Sequence, residues 1–216
     1  MRDPDPQESG RSADGRSDTE ARASHLVDEV DQARAQQYAL LSSLLSRSPD
    51  SELMKRLARL RGDVTPLGVA HAALAKAARR TSAGEVEREY SDLFLGLKPG
   101  GLFPYASYYL TGTVQGRPLA RLREALRRLG IERTPGQVEP EDHAATLLEV
   151  MYSLAGGRIA APPGTDREIF EQHLAPWIGG FFADLERAEL ANFYATVGAL
   201  GRIFIEIETE AFQLPA

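Results

Sequence analysis

The chain has no cysteine among its 216 residues. That excludes disulfides, thiolate nucleophiles, Cys-ligated zinc and Cys-ligated iron–sulfur clusters together. It also has no run approaching the roughly 20 apolar residues that a membrane-spanning helix requires, and no apolar stretch of the kind that marks a secretory signal. The expectation is a soluble cytoplasmic protein without stable membrane insertion. Neither a GxGxxG nor a GxxxxGK[ST] sequence occurs, so the dinucleotide fingerprint and the Walker loop are missing, as is a GxSxG elbow. The four histidines, His25, His71, His143 and His173, are far apart and form no HExxH pattern. No metal and no cofactor is expected. Basic excess is lacking too: 31 acids against 25 bases give a net charge of −6, which argues against nucleic acid as a partner and permits a basic peptide.

With 43% apolar and 26% charged residues, the chain is long enough for one sizeable core. Residues 1–24, rich in Pro, Gly, Ser, Asp and Arg, carry too few apolar side chains to offset the entropy of ordering and are read as a disordered tail. Residues 25–216 are read as a single all-α domain. Helical periodicity runs from Leu26 to Leu45. Asp50 or Ser51 can cap a second helix through Leu60, and an alanine-rich helix spans 69–80. In residues 116–133, leucines 119, 122, 126 and 129 recur at helical spacing beside six arginines, the pattern of an amphipathic helix with a wet basic face.

Three stretches carry candidate chemistry. SAGEVEREYSDLFLGL, residues 82–97, is helical to Gly96 and gathers Glu85, Glu89 and Asp92 on one side. These acids form either a solvated face or a surface awaiting a base. KPGGLFPYASYYLTG, residues 98–112, interrupts helical structure and concentrates Phe103, Tyr105, Tyr108 and Tyr109 after its glycines. In EPEDHAATLLEVM, residues 139–151, Pro140 suits a first helical turn and the following acids suit the positive helix end. His143 falls beside the apolar stripe of Leu147, Val150 and Met151, whereas Asp142 lies on a polar face. Because adjacent helical residues are about 100° apart, the two need not touch. An acid–base pair, a binding element and a helix start all remain open for Asp142 and His143. Further on, the late helices are expected to break near Pro176, and FIEIE can be a short strand or a continuation of helix.

EPEDHAATLLEVM resembles the EPxDHxxxxLxxM pattern of the TorD/DmsD/NarJ-like family of chaperones that mature molybdenum-containing redox enzymes. EREYSDLF resembles that family's ExxxLF element, and PYASYY its P-x-E-S-x-Y-like loop. FEQHLAPW, at residues 170–177, resembles a late F-x-x-H-L-x-x-W pattern. The resemblance covers about residues 30–200 and implies an all-helical chaperone, not an enzyme. As partner it implies the twin-arginine signal peptide or the apo catalytic subunit of a molybdopterin-dependent oxidoreductase, held back from export while its cofactor is inserted. The residues it marks for client binding are Tyr90, Leu93, Phe94, Pro104, Ser107, Tyr108, Asp142 and His143; the charge and aromatic pattern adds the acids Glu89 and Glu141 for a client's arginines and Tyr105 for its apolar stretch. His173 and Trp177 are implied to be mainly structural. Ala106 stands where many relatives have glutamate, so peptide register does not transfer from any of them. A monomer is expected, with a domain-swapped dimer as the alternative. Two other functions remain: a helical acid–base enzyme or nucleotide-binding protein using Asp142 and His143, and an unrelated helical adaptor.

Overall fold

The computed structural model describes residues 29–96, 99–132 and 139–214; the tail read at residues 1–24 lies outside them. Among the described residues every regular element is a helix and no strand forms. The elements are α1 (Glu29–Ser46), α2 (Ser51–Leu57), α3 (Pro66–Arg80), α4 (Ala83–Phe94), α5 (Ala106–Thr111), α6 (Arg117–Arg128), α7 (Ala144–Ala155), α8 (Thr165–Ile169), α9 (Ala175–Arg187) and α10 (Phe193–Gln213).

Local chemistry sets the helix starts. Asp50 caps α2 by accepting from the Leu53 N–H at 2.8 Å, and Thr65 caps α3 at Gly68, with Pro66 in the first turn, where its missing N–H costs nothing. Ser82 and Glu85 form a reciprocal capping box on α4. Glu85, expected on a shared acidic face, is thus occupied in starting its own helix.

α7 and α10 lie at the centre. α1 packs along α7, while α10 packs against both α9 and α3. The α9–α10 contact is close because α10 presents Gly198 and Gly201 to it. A methyl group at Gly198 would overlap the Glu186 backbone, and one at Gly201 would enter the Phe182 ring. The surrounding core includes Phe170, Phe181, Phe182, Phe193 and Tyr194, all buried. Burial of such side chains contributes roughly 1.5–3 kcal/mol each before conformational entropy is counted.

Three expectations are sharpened here. The residues 98–112 are not wholly irregular, since the six-residue α5 forms directly after Pro104. FIEIE is helix inside α10. The late break precedes Pro176: residues 170–174 form a π-turn in which the Ala175 N–H bonds the Phe170 carbonyl five residues back. Proline has no N–H to offer the ladder, and the Trp177 indole N–H bonds the His173 carbonyl at 2.8 Å in the same turn. α6 follows its leucine pattern, burying Leu119, Leu122 and Leu126.

Candidate functional site

Two sequence stretches that are 35 residues apart form one unit. The Ala106 N–H donates to the Asp142 carbonyl at 2.9 Å and the Ala144 N–H to the Pro104 carbonyl at 2.8 Å, so Tyr105 and His143 face each other in an isolated antiparallel bridge. Asp142 reinforces it: one carboxylate oxygen accepts from the Ser107 N–H at 2.9 Å. Ser107 in turn accepts at its hydroxyl from the Gln115 N–H at 2.8 Å. That bond holds Gln115 at φ +79°, a left-handed conformation that only a few per cent of non-glycine residues adopt. The loop after Pro104, the start of α5 and the entry to α7 are thereby tied together.

This arrangement corrects the helix start. α7 begins at Ala144, not at Pro140, and its cap is His143, whose Nδ1 accepts from the Ala145 N–H at 3.1 Å. Asp142 does not cap α7; it is completely buried and serves α5. The imidazole packs edge-on to the Tyr105 ring, centroids 5.2 Å apart. Burial lowers the His143 pKa, against the opposing pull of Glu139 and Asp142, and a neutral ring is what an Nδ1 acceptor requires. The Tyr105 hydroxyl donates to Glu139, and burial together with this bond raises its pKa.

The other marked residues divide by exposure. Leu93 is fully buried and Pro104 and Ser107 are buried, so they support the surface from beneath. Tyr90 and Phe94 are half-buried, in ring contact with each other and with Tyr194. Tyr108 is exposed and contacts the exposed Phe103, centroids 5.0 Å apart. This pair continues inward through Tyr109 to Trp177 and Phe181. Phe103 belongs to this surface although the motif comparison did not mark it; its position beside Pro104 was the available signal.

The acids anticipated as an arginine trap are already engaged. Glu89 receives three backbone N–H groups at the start of α10, from Asn192, Phe193 and Tyr194 at 2.7, 3.1 and 2.7 Å, an anion at a positive helix end. Glu141 pairs with Arg123 at 2.8 Å. Glu139 is exposed at the edge of the bridge. Among the described residues, no group of three or more His, Asp or Glu is placed to hold a metal, and no helix is long and apolar enough to cross a membrane.

The fold is thus an all-helical bundle whose two signature stretches are bonded to each other beneath an aromatic surface. Residues 61–183 match the family described as nitrate reductase delta subunit, and the chain belongs to that family. Chaperone protein TorD of Vibrio cholerae is 26% identical over 137 residues, 59% of this chain, and the match spans 62% of that relative's length, less than two thirds of it. Chaperone protein TorD of Shewanella pealeana is 25% identical over 208 residues, covering 85% of this chain and 91% of the relative. A crystal structure from Archaeoglobus fulgidus, described as a redox enzyme maturation protein, shares the fold with a TM-score of 0.51 at 21% identity, covering 80% of this chain and 93% of its own.

Proposed function

We propose that this chain is a dedicated, non-enzymatic chaperone of the cytoplasm. Its client is the twin-arginine signal peptide or apo catalytic subunit of a molybdenum-containing oxidoreductase, bound while cofactor is inserted and export is delayed. Membership of the family and the chaperone names of the curated relatives support the reading. The observation that carries it is the exposed Phe103–Tyr108 pair, mounted on the loop that Asp142 and His143 fix.

Large exposed aromatics backed by a rigid aromatic core can take an apolar peptide stretch with little ordering cost on the protein's side. Apolar area covered at about 25 cal/mol per Å² supplies affinity. Charge sets orientation, and the exposed Glu139 is the carboxylate beside the bridge best placed to meet a client arginine. Asp142 and His143 act here by shaping the surface, not by touching the client.

The test is titration of a synthetic twin-arginine signal peptide into the full chain and its variants. Phe103→Ala with Tyr108→Ala should weaken binding about tenfold or more while leaving the melting temperature nearly unchanged. Glu139→Gln should weaken it less and reduce its salt dependence. Undiminished binding by the folded double variant removes this surface from the proposal. Failure of the unaltered chain to bind either the peptide or an apo catalytic subunit removes the chaperone reading itself.

A further inference from the structure

Away from the Phe103–Tyr108 surface, a groove of about 900 Å³ follows α1 and is bounded by α2, α3 and the later parts of α7 and α10. It extends along α1 from Val30 to Ser43, about 20 Å at the helical rise of ~1.5 Å per residue. Leu40, Leu53, Leu60, Leu67 and Phe204 provide its apolar lining. On a chain of net charge −6, this groove is cationic: four arginines line it against one carboxylate, Glu208.

Glu208 is already spoken for. It is buried, receives Arg34 at 2.9 Å through both Nε and Nη2, and accepts from the Tyr38 hydroxyl at 2.7 Å. Arg56, Arg61 and Arg158 are exposed and form no ion pair among the described residues. Arg158 is steadied over the Tyr152 ring, 4.5 Å from its centroid.

A second feature points to a ligand. Gln37, only 6% exposed, lines the groove. Its Oε1 lies 2.8 Å from His71 Nε2, while its Nε2 has no partner among the described residues. Burial keeps His71 toward its neutral form, so the ring satisfies one atom of the amide. Turning the amide over only exchanges which atom is left. A buried amide donor without an acceptor costs about 1–3 kcal/mol, a cost that an incoming carbonyl removes when the side chain turns toward the groove.

We propose that this groove binds an extended, acidic peptide segment of a partner protein, with leucine-type residues facing its apolar lining and acids facing Arg56, Arg61 and Arg158. A helix would spend its carbonyls internally, whereas an extended segment has one free for Gln37. Some six residues at ~3.3 Å each fill the length, and their side chains alternate between floor and rim. A compact anion would leave most of the groove empty. The site is separate from the client surface, and its occupant has the opposite charge to a twin-arginine segment.

The test uses the full chain and fluorescein-labelled octapeptides alternating glutamate with leucine or lysine with leucine, followed by anisotropy. The glutamate peptide should bind, with affinity falling steeply as salt rises to about 0.5 M. The exposed pair Arg56→Ala with Arg61→Ala should weaken it about tenfold. Gln37→Met, checked for native helicity, should weaken it about fivefold with little change in salt dependence. Phe103→Ala should leave it unchanged. Equal binding of the lysine peptide, no measurable binding, or indifference to both groove variants overturns the proposal. Binding that appears only when Asp14, Asp18 and Glu20 are changed to Asn, Asn and Gln in the full chain also overturns it, by assigning the groove to this chain's own acidic segment.

Discussion

Asp142 and Ser107 are joined by a 2.9 Å bond from the Ser107 backbone N–H to the Asp142 carboxylate, both residues having no solvent exposure. The second oxygen of that carboxylate has no partner among the described residues. A buried acid held through one side only is an expensive way to start a short helix, and its position at the crossing of two signature segments explains what it secures.

Removing the carboxylate should therefore cost stability as well as binding. Asp142→Ala leaves the Ser107 N–H unmet in a dry site, and we expect a loss of about 1–3 kcal/mol in urea unfolding. Client affinity should fall with it, because Tyr108 lies one residue beyond Ser107. If the variant keeps full stability, the bond does not hold the loop.

Glu89 should behave as an anchor of α10 and not as an exposed acid. Replacement by alanine strips three backbone donors of their acceptor and should lower stability by about 2 kcal/mol. Glu89→Gln retains an acceptor oxygen and should lose about half as much. Equal melting temperatures for all three proteins would contradict this assignment.

At Gly198, a better helix former should make a worse protein. Alanine gains up to about 1 kcal/mol in helix propensity, yet its methyl group would sit against Glu186 Cα, 2.8 Å away. Overpacking of backbone on backbone costs about 1–3 kcal/mol, so the melting temperature should fall. A rise would mean that α9 and α10 can separate without penalty.

One buried and two half-buried histidines make stability depend on pH. His71, His143 and His173 all have pKa values lowered below 6.5, burial being the leading cause in each. The unfolded chain then binds more protons, so stability is complete above about pH 7.5 and declines as pH falls through 6.5 toward the lowered folded values. Protonation of His143 also turns its Nδ1 acceptor into a donor and breaks the α7 cap. His143→Asn keeps an acceptor and cannot titrate; its urea midpoint should fall less between about pH 7.5 and 5.5. An unchanged slope would show that His143 titrates no differently in the folded state.

Much of this architecture can be read from periodicity. The leucines of α6, the capping residues of α2 and the helical run ending near Gly96 all act locally, and each appears where its spacing puts it. Two signature stretches were legible as words, but not their bonding to each other. The start of α7 was misplaced because Pro140 and the acids after it fit a first turn equally well in isolation. What decided otherwise was the Pro104 carbonyl, which takes the Ala144 N–H and leaves His143 extended after a turn at Glu141 and Asp142. Glu89 was misleading for the same reason: its donors lie more than a hundred residues away. The π-turn before Pro176 is a change of hydrogen-bond register, Ala175 N–H to the Phe170 carbonyl, that the proline alone does not announce.

The bridge between Tyr105 and His143 makes everything between them an excursion that leaves and re-enters at one place. α6 is carried on that excursion, attached to the bundle by its buried leucines and by the Arg128–Glu168 pair at 3.7 Å. Its length and outer face can therefore be exchanged as a cassette, with the ends already fixed 5.2 Å apart ring to ring. A lineage, or a designer, could revise the neighbourhood of the peptide surface there without reopening the core.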